Sequence, residues 1–227
     1  NIVYTCFPRQ KDIDLAYRNN ILSKIEFKTT WTGFVDNQRN DKIFKKIQPL
    51  KKRRIDIGYR ARKLPAYFGR HGQLKFELVS VFSEYLKKTD LVYDISNTNK
   101  NISNEDKSLV KMGDQWLNFL LNCKAFIGCE GGSSFLITNG EIKKKILDYT
   151  FRHPNASFDE IEMTCFPGLD YNIEGFMLSP RHFECASSKT LQILVEGLYG
   201  NIFKPNVHYI ELKRDFSNLS DVFEKLE

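Results

Sequence analysis

No run of eighteen or more apolar residues occurs in the chain, which excludes an ordinary membrane-spanning helix. No CxxC pair occurs either, and the five cysteines, Cys6, Cys123, Cys129, Cys165 and Cys185, are scattered and odd in number. That usage argues against a zinc site or a disulfide framework and for reduced thiols in a cytoplasmic setting. GxGxxG is missing, so a simple dinucleotide-dependent oxidoreductase is not supported. No acidic DxD pair stands at an expected strand end, so no metal is implied. There is no internal repeat and no low-complexity segment. The chain starts at Asn1 without a signal-peptide pattern, and the expectation is an excised or processed piece.

Hydrophobic residues make up 41% and charged residues 27%, the balance of a soluble globular protein. Eighteen Phe and ten Tyr supply anchors for a sizeable core. A length of 227 residues suits one large domain, or a domain with part of a second. The net charge is +6, and its densest cluster is "KKIQPLKKRR", residues 45–54. Such a run is either a solvated linker or a surface for an anionic partner: nucleic acid, membrane or a phosphorylated ligand.

Along the chain, "IVYTCF" reads as a short buried strand ended by Pro8, residues 10–25 as a weak helix, and "TTWTGFVDNQRN" as a loop leading through the basic cluster. At Ile55 the texture changes. Ile55–Tyr59 reads as a strand, followed by an Arg-, Gly- and Pro-rich loop. A helix then opens near Gly72, with Leu74, Leu78, Val81, Phe82 and Tyr85 at helical spacing. "LVYDIS" is a second strand, "NTNKNISNED" a polar loop, "DKSLVKMGDQWLNFLLNCK" helical, and "AFIGCEGG" a third strand running into a glycine turn. Two helices follow, the second capped by Ser157 or Asn155 with Glu160 as box partner. Next come a strand "GFMLS", a helix from "PRHFECASSK", a strand "TLQILVEG", and a closing strand and helix with Ser217 or Asn218 near the cap. This alternation predicts an α/β fold: a Rossmann-like parallel sheet with helices on both faces. The expected division is residues 1–54 as the end of a preceding domain with its linker, and 55–227 as the ligand-binding domain.

In open α/β sheets ligands bind beyond the carboxyl ends of the strands. Three loops qualify: 58–72, 128–134 and the turn at 179–184. The first offers Arg60, Arg62, Arg70 and His71, cations suited to phosphate; the alternative is a solvated loop. The second offers Glu130, Gly131, Gly132, Ser133 and Ser134. Its backbone N–H groups can hold an anion, with a plain turn as the alternative, and Glu130 can bond a hydroxylated ligand or only cap a neighbouring element. The third carries the most information. Ser179 and Pro180 suit the cap and first position of a helix. Arg181 and His182 in that first turn oppose the helix dipole unless an anion lies between them. Glu184 sits between Phe183 and an apolar run, where a carboxylate is costly unless it is hydrogen-bonded or faces a ligand. Two cations and a carboxylate at a helix start fit a diphosphate beside a ribose. A structural cap, or an ion pair between Glu184 and Arg181, is the competing reading.

"SPRHFECASSKTLQILVEGLYGNIFKPNVHYIELKRDFSN" resembles the end of the donor-binding domain of GT-B glycosyltransferases, more narrowly the bacterial family-1 type of surface-polysaccharide clusters. "IDIGYRARKLPAYFGRHGQLK", "CKAFIGCEGGSSF" and "HPNASFDEIE" carry the same resemblance, so it covers about residues 55–227. It implies a transferase that moves a sugar from a nucleotide-sugar to a glycan, lipid-linked or protein acceptor. Glu184 matches the family's ribose-binding glutamate, while Glu174 is ten residues ahead where the family's paired glutamate is eight ahead. The nucleotide-sugar is then a substrate and no cofactor is expected. A cytoplasmic chain, in peripheral contact with the inner face of the membrane, follows from the same resemblance. Two other classes compete: a nucleotide-sugar-binding module without catalysis, and a nucleic-acid-binding domain using residues 45–54. Against the latter, aromatics are not interleaved with that cluster and no nucleic-acid motif occurs, so nucleic acid is not an expected partner.

Overall fold

The apolar runs at Cys123 and Leu191 become strands in the computed structural model, which describes residues 1–7, 9–17, 24–98 and 111–226. The strands are β1 (Ile2–Thr5), β2 (Glu26–Thr29), β3 (Ile55–Arg62), β4 (Tyr93–Thr98), β5 (Cys123–Gly128), β6 (Gly131–Ser133), β7 (Gly175–Met177), β8 (Leu191–Val195) and β9 (Ile210–Leu212). The helices are α1 (Gln10–Ala16), α2 (Asn37–Phe44), α3 (Gly69–Leu86), α4 (Gly113–Asn122), α5 (Gly140–Arg152), α6 (Phe158–Cys165), α7 (Pro180–Ser187) and α8 (Leu219–Glu224). Among the described residues no helix is long and apolar enough to cross a membrane.

The chain divides into two units. The sheet unit comprises Trp31–Arg62, Glu77–Glu130 and Leu178–Glu227. The insert unit comprises Asn1–Thr30, Lys63–Phe76 and Gly131–Met177. Residues 31–54 group with the sheet unit, and the segments 63–76 and 131–177 with the insert unit.

In the sheet unit five parallel strands lie in the order β4-β3-β5-β8-β9. Helices flank them, so the unit is Rossmann-like α/β, as the alternation predicts. Ile57, Tyr59, Ala125, Phe126, Ile127, Ile193, Leu194 and Val195 are buried, the near-continuous apolar reading of covered parallel strands. Helix α4 packs on β5, α7 on β8, and the two helices touch. On α3, Phe82 and Tyr85 meet Phe223 of α8 at ring distances of 5.7 and 4.1 Å. Asp36 caps α2 by accepting the Gln38 N–H, so a helix stands where the sequence suggested loop. Its Ile43 is buried with Leu117 and Leu121. The basic run is not a plain linker. Arg53 is buried and donates to the carbonyls of Cys123 (2.7 Å) and Ser188 (2.8 Å) and to Thr190 Oγ1 (3.0 Å).

The insert unit holds two small sheets, β1 with β2 parallel and β6 with β7 antiparallel. Two corrections follow. β1 is not buried, since Ile2 and Tyr4 are exposed on a two-stranded sheet that can cover only one face. "GFMLS" does not join the parallel sheet, because its first residues pair back onto β6. Helix α6 opens as predicted, with Ser157 and Glu160 forming a capping box. Phe135 stacks on Phe166 at 4.5 Å in the core between α5 and α6. Helix α3 starts three residues earlier than its periodicity suggests. Its first N–H groups find side-chain acceptors, Arg70 N–H on Asp170 Oδ2 (2.9 Å) and His71 N–H on Ser134 Oγ (3.0 Å). Pro8, Ile21, Leu22 and residues 99–110, which hold most of the expected polar loop and the expected start of the following helix, lie outside the described residues.

Candidate functional site

Both sheet neighbours of β3 follow it in the chain, β4 on one side and β5 on the other. The strand order reverses there, and a crevice outside the carboxyl ends of β3 and β5 is where such sheets place ligands. The sheet unit brings Arg60, near the carboxyl end of β3, to an aromatic cluster made by Trp116 and Phe119 of α4 and Phe126 of β5. Arg181 of α7 joins the cluster. Its guanidinium carbon lies 4.9 Å from the Trp116 ring centre and 5.8 Å from that of Phe126, and Nη1 donates to the Arg60 carbonyl at 2.8 Å. Lys111 Nζ stands 5.6 Å from the Phe119 ring centre. Three cations therefore address one set of rings, a favourable contact with the ring faces that keeps positive charge together.

Glu184 completes the group. One turn into α7, its Oε2 accepts the Trp116 indole N–H at 2.7 Å. The carboxylate borders a cavity of about 130 Å³ that Asn40, Phe183 and Ser187 also line. It does not pair with Arg181, whose guanidinium donates to the Arg60 carbonyl. The competing ion-pair reading is thus not what α7 builds.

The rest of the α7 start is structural chemistry. Ser179 Oγ accepts the Arg181 N–H (3.4 Å), and buried His182 turns back so that Nδ1 accepts the Ser179 N–H (3.0 Å). The same nitrogen lies 3.1 Å from the Ser179 carbonyl, so the ring is turned back onto the backbone of its own helix cap. Arg60 is also committed: Nη1 reaches the Asp94 carbonyl (2.7 Å), Nη2 reaches Asp94 Oδ2 (2.6 Å), and its guanidinium lies 4.3 Å from the Phe119 ring centre. Arg62 is exposed at the end of β3.

Glu130 lies in the sheet unit but faces the protein. It is buried, and its carboxylate accepts the N–H groups of Tyr199 (2.8 Å) and Leu198 (3.3 Å). A Cβ at Gly197 would meet its Oε2 at 2.5 Å, so glycine lets that turn approach. Burial raises the Glu130 carboxyl above its ordinary range, and the two N–H groups oppose the rise.

Gly131, Gly132 and Ser133 are in the insert unit, and they form β6 rather than a glycine turn. Gly132 has φ of 104°, and a Cβ there would strike the Gly175 carbonyl of the paired strand. Its glycine serves strand pairing. Ser133 Oγ is 2.9 Å from the Phe68 carbonyl and accepts the Phe135 N–H at 3.1 Å. Ser134 Oγ donates to Asp170 Oδ1 at 2.8 Å. Glu174 is ion-paired with Arg9 in the same unit. Among the described residues no group of three His, Cys, Asp or Glu is placed to hold a metal. Burial pushes the Cys123 thiol up to about 12 and raises Cys185 as well, so neither is a thiolate nucleophile near neutral pH.

Sequence reasoning overlooked Trp116 as a site residue. It is one of only two tryptophans, and it opens a helix whose other apolar positions, Leu117, Phe119, Leu120 and Leu121, are buried. A half-buried indole beside that full core face was the available signal. Comparison of the chain with protein-family models, curated proteins and solved structures returns no match.

Proposed function

We propose that the sheet unit binds the nucleoside diphosphate of a nucleotide-sugar and that the protein is a glycosyltransferase. The observation that carries this reading is the Glu184 carboxylate, held by the Trp116 indole N–H and bordering a cavity, with Arg181 stacked on the same ring. A carboxylate in that setting accepts the hydroxyls of a ribose, and the adjoining guanidinium meets a diphosphate. The likeness of "SPRHFE" and the segments before it to the donor domain of GT-B enzymes supports the same assignment. The sugar's bond to the diphosphate oxygen breaks, a bond from its anomeric carbon to an acceptor oxygen forms, and the acceptor's proton passes to a base. Arg181, together with Lys111 across the ring cluster, stabilises the charge that develops on the departing diphosphate. Arg60 contributes by positioning, since its carbonyl holds the Arg181 guanidinium.

A thermal-shift screen against nucleoside diphosphates and their sugars tests the binding step, because a ligand that binds the folded state raises its apparent stability. Glu184→Ala should weaken the ligand found by roughly 1–3 kcal/mol, the cost of a lost hydrogen bond to a charged group. Its ligand-free melting temperature should stay close to that of the parent. A collapsed melting temperature with affinity unchanged would make Glu184 structural and remove the proposal's foundation. Release of nucleoside diphosphate with a sugar acceptor present separates a transferase from a module that only binds.

A further inference from the structure

The positive charge of the chain is concentrated in one place. Residues 37–54 hold eight of the 34 Lys and Arg but one of the 28 Asp and Glu. That local excess of seven is larger than the net charge of +6, so the remaining 209 residues are together net negative by one. The structure sorts these cations by role. Arg53 points inward onto carbonyls of the sheet unit. Lys42, Lys45, Lys46, Lys51, Lys52 and Arg54 are exposed, and none forms an ion pair with a described carboxylate. Ile43, with Ile47 packed beside it, faces Leu117 and Leu121, which leaves Lys42, Phe44, Lys45 and Lys46 turned to water. Apolar side chains stand among the cations: Phe44 is 50% exposed, Leu50 55% and Phe34, just upstream, 82%. Crowded like charges repel, and an opposing anionic surface relieves that repulsion.

We infer that residues 34–54 form a docking surface for an anionic lipid bilayer. The six exposed cations meet lipid phosphates, while Phe34, Phe44 and Leu50 enter the interface. The apolar members select the bilayer over nucleic acid. A phosphodiester backbone rewards the lysines but offers Leu50 nothing, whereas the boundary between headgroups and acyl chains takes both kinds of side chain. The two contributions differ in range. Each cation near the surface multiplies partitioning about fivefold and is screened by salt, and the apolar contacts are not screened.

Co-flotation of the chain with vesicles tests this inference. The protein should float with phosphatidylcholine vesicles containing phosphatidylglycerol, fail to float with phosphatidylcholine alone, and detach as salt is raised. The triple variant Lys42→Gln, Lys45→Gln, Lys46→Gln should lose about a hundredfold in partitioning, three steps of about fivefold. Phe44→Ser with Leu50→Ser should lower binding at every salt concentration and remove most of what survives high salt. All five positions are exposed, so melting temperatures should match the parent, which separates lost docking from lost folding. Absence of flotation with anionic vesicles, or flotation of the triple variant at the parent's level, overturns the inference. Tighter binding to mixed-sequence RNA than to vesicles in the same buffer, abolished in the triple variant, also overturns it and makes the strip a nucleic-acid surface.

Discussion

At the amino end of the five-stranded sheet Arg53 is spent on the protein itself; at the carboxyl end Arg181 lies over an indole. Arg53 precedes β3 and ties the first residue of β5, through the Cys123 carbonyl, to the α7–β8 turn, through Ser188 and Thr190. Its planar fork matches three acceptors in two separate segments, which one ammonium could not span. The Arg181 guanidinium donates to the Arg60 carbonyl and otherwise rests on the faces of Trp116 and Phe126. The same residue type is thus a structural fastener where its acceptors are backbone, and a ligand candidate where its neighbours are rings and a carboxylate. Composition alone does not separate the two, since both arginines count equally toward the net charge.

The largest expected effect comes from the amino end. Arg53→Met leaves two buried carbonyls and a hydroxyl short of a donor, and should cost about 3 kcal/mol of folding stability. Arg53→Lys should recover little of that. Urea unfolding measures the loss, while affinity for the ligand of the sheet unit, read below the transition, should change less than twofold. An unchanged unfolding midpoint would break the comparison at its structural end.

At the carboxyl end the sharper test is Trp116→Phe, which keeps a ring for Arg181 and removes the N–H that fixes Glu184. We expect about a fivefold loss of affinity for a ribonucleoside diphosphate, near 1 kcal/mol for one hydrogen bond. The 2′,3′-dideoxy analogue, which has no hydroxyls for Glu184 to accept, should bind both proteins alike. Calorimetric titration of the two ligands decides it. An equal loss for both would mean that Trp116 acts through packing or through Arg181, and not by orienting the carboxylate. If neither ligand binds the parent protein, the glycosyltransferase reading itself fails.

Much of the sheet unit is legible in the sequence because its signals are local. β3, β5 and β8 are short apolar runs, and the start of α7 is written in Ser179 and Pro180, an N-cap followed by the first helical position. What escapes are pairings set by distant chain. β7 lies antiparallel on β6 more than forty residues upstream, and nothing in "GFM" specifies that partner. The role of Arg53 depends on acceptors 70 and 135 residues away. His182 reads in sequence as a cation for a ligand, yet folding turns its ring back onto the Ser179 backbone. α2 is a different case, because Asp36 was a readable cap in a segment whose polar composition suggested loop. In the site, Glu184 stood out as an acidic residue in apolar company, but its indole partner is 68 residues away and could not be paired with it by spacing.

The smallest effect separates two glutamates of the sheet unit. Glu130 follows β5 as Glu184 follows the start of α7, and both were candidates for a hydroxylated ligand. Glu130 instead accepts two N–H groups of the turn after β8, in a setting that raises its carboxyl above the ordinary range mainly through burial. With the folded value above the unfolded one, the folded state holds this proton more tightly. The stabilising contribution is therefore complete below the unfolded value and falls as pH rises through the raised one. Glu130→Gln carries no titrating group, so the stability of the parent relative to this variant should shrink between the ordinary carboxylate range and neutral pH. Urea unfolding at a series of pH values measures the gap. The change should be modest, because the Leu198 and Tyr199 N–H groups favour the charged carboxylate and offset part of the burial. A gap that stays constant, or widens with pH, would mean that Glu130 is not buried in solution as it is here. It would then rejoin Glu184 as a residue open to ligand.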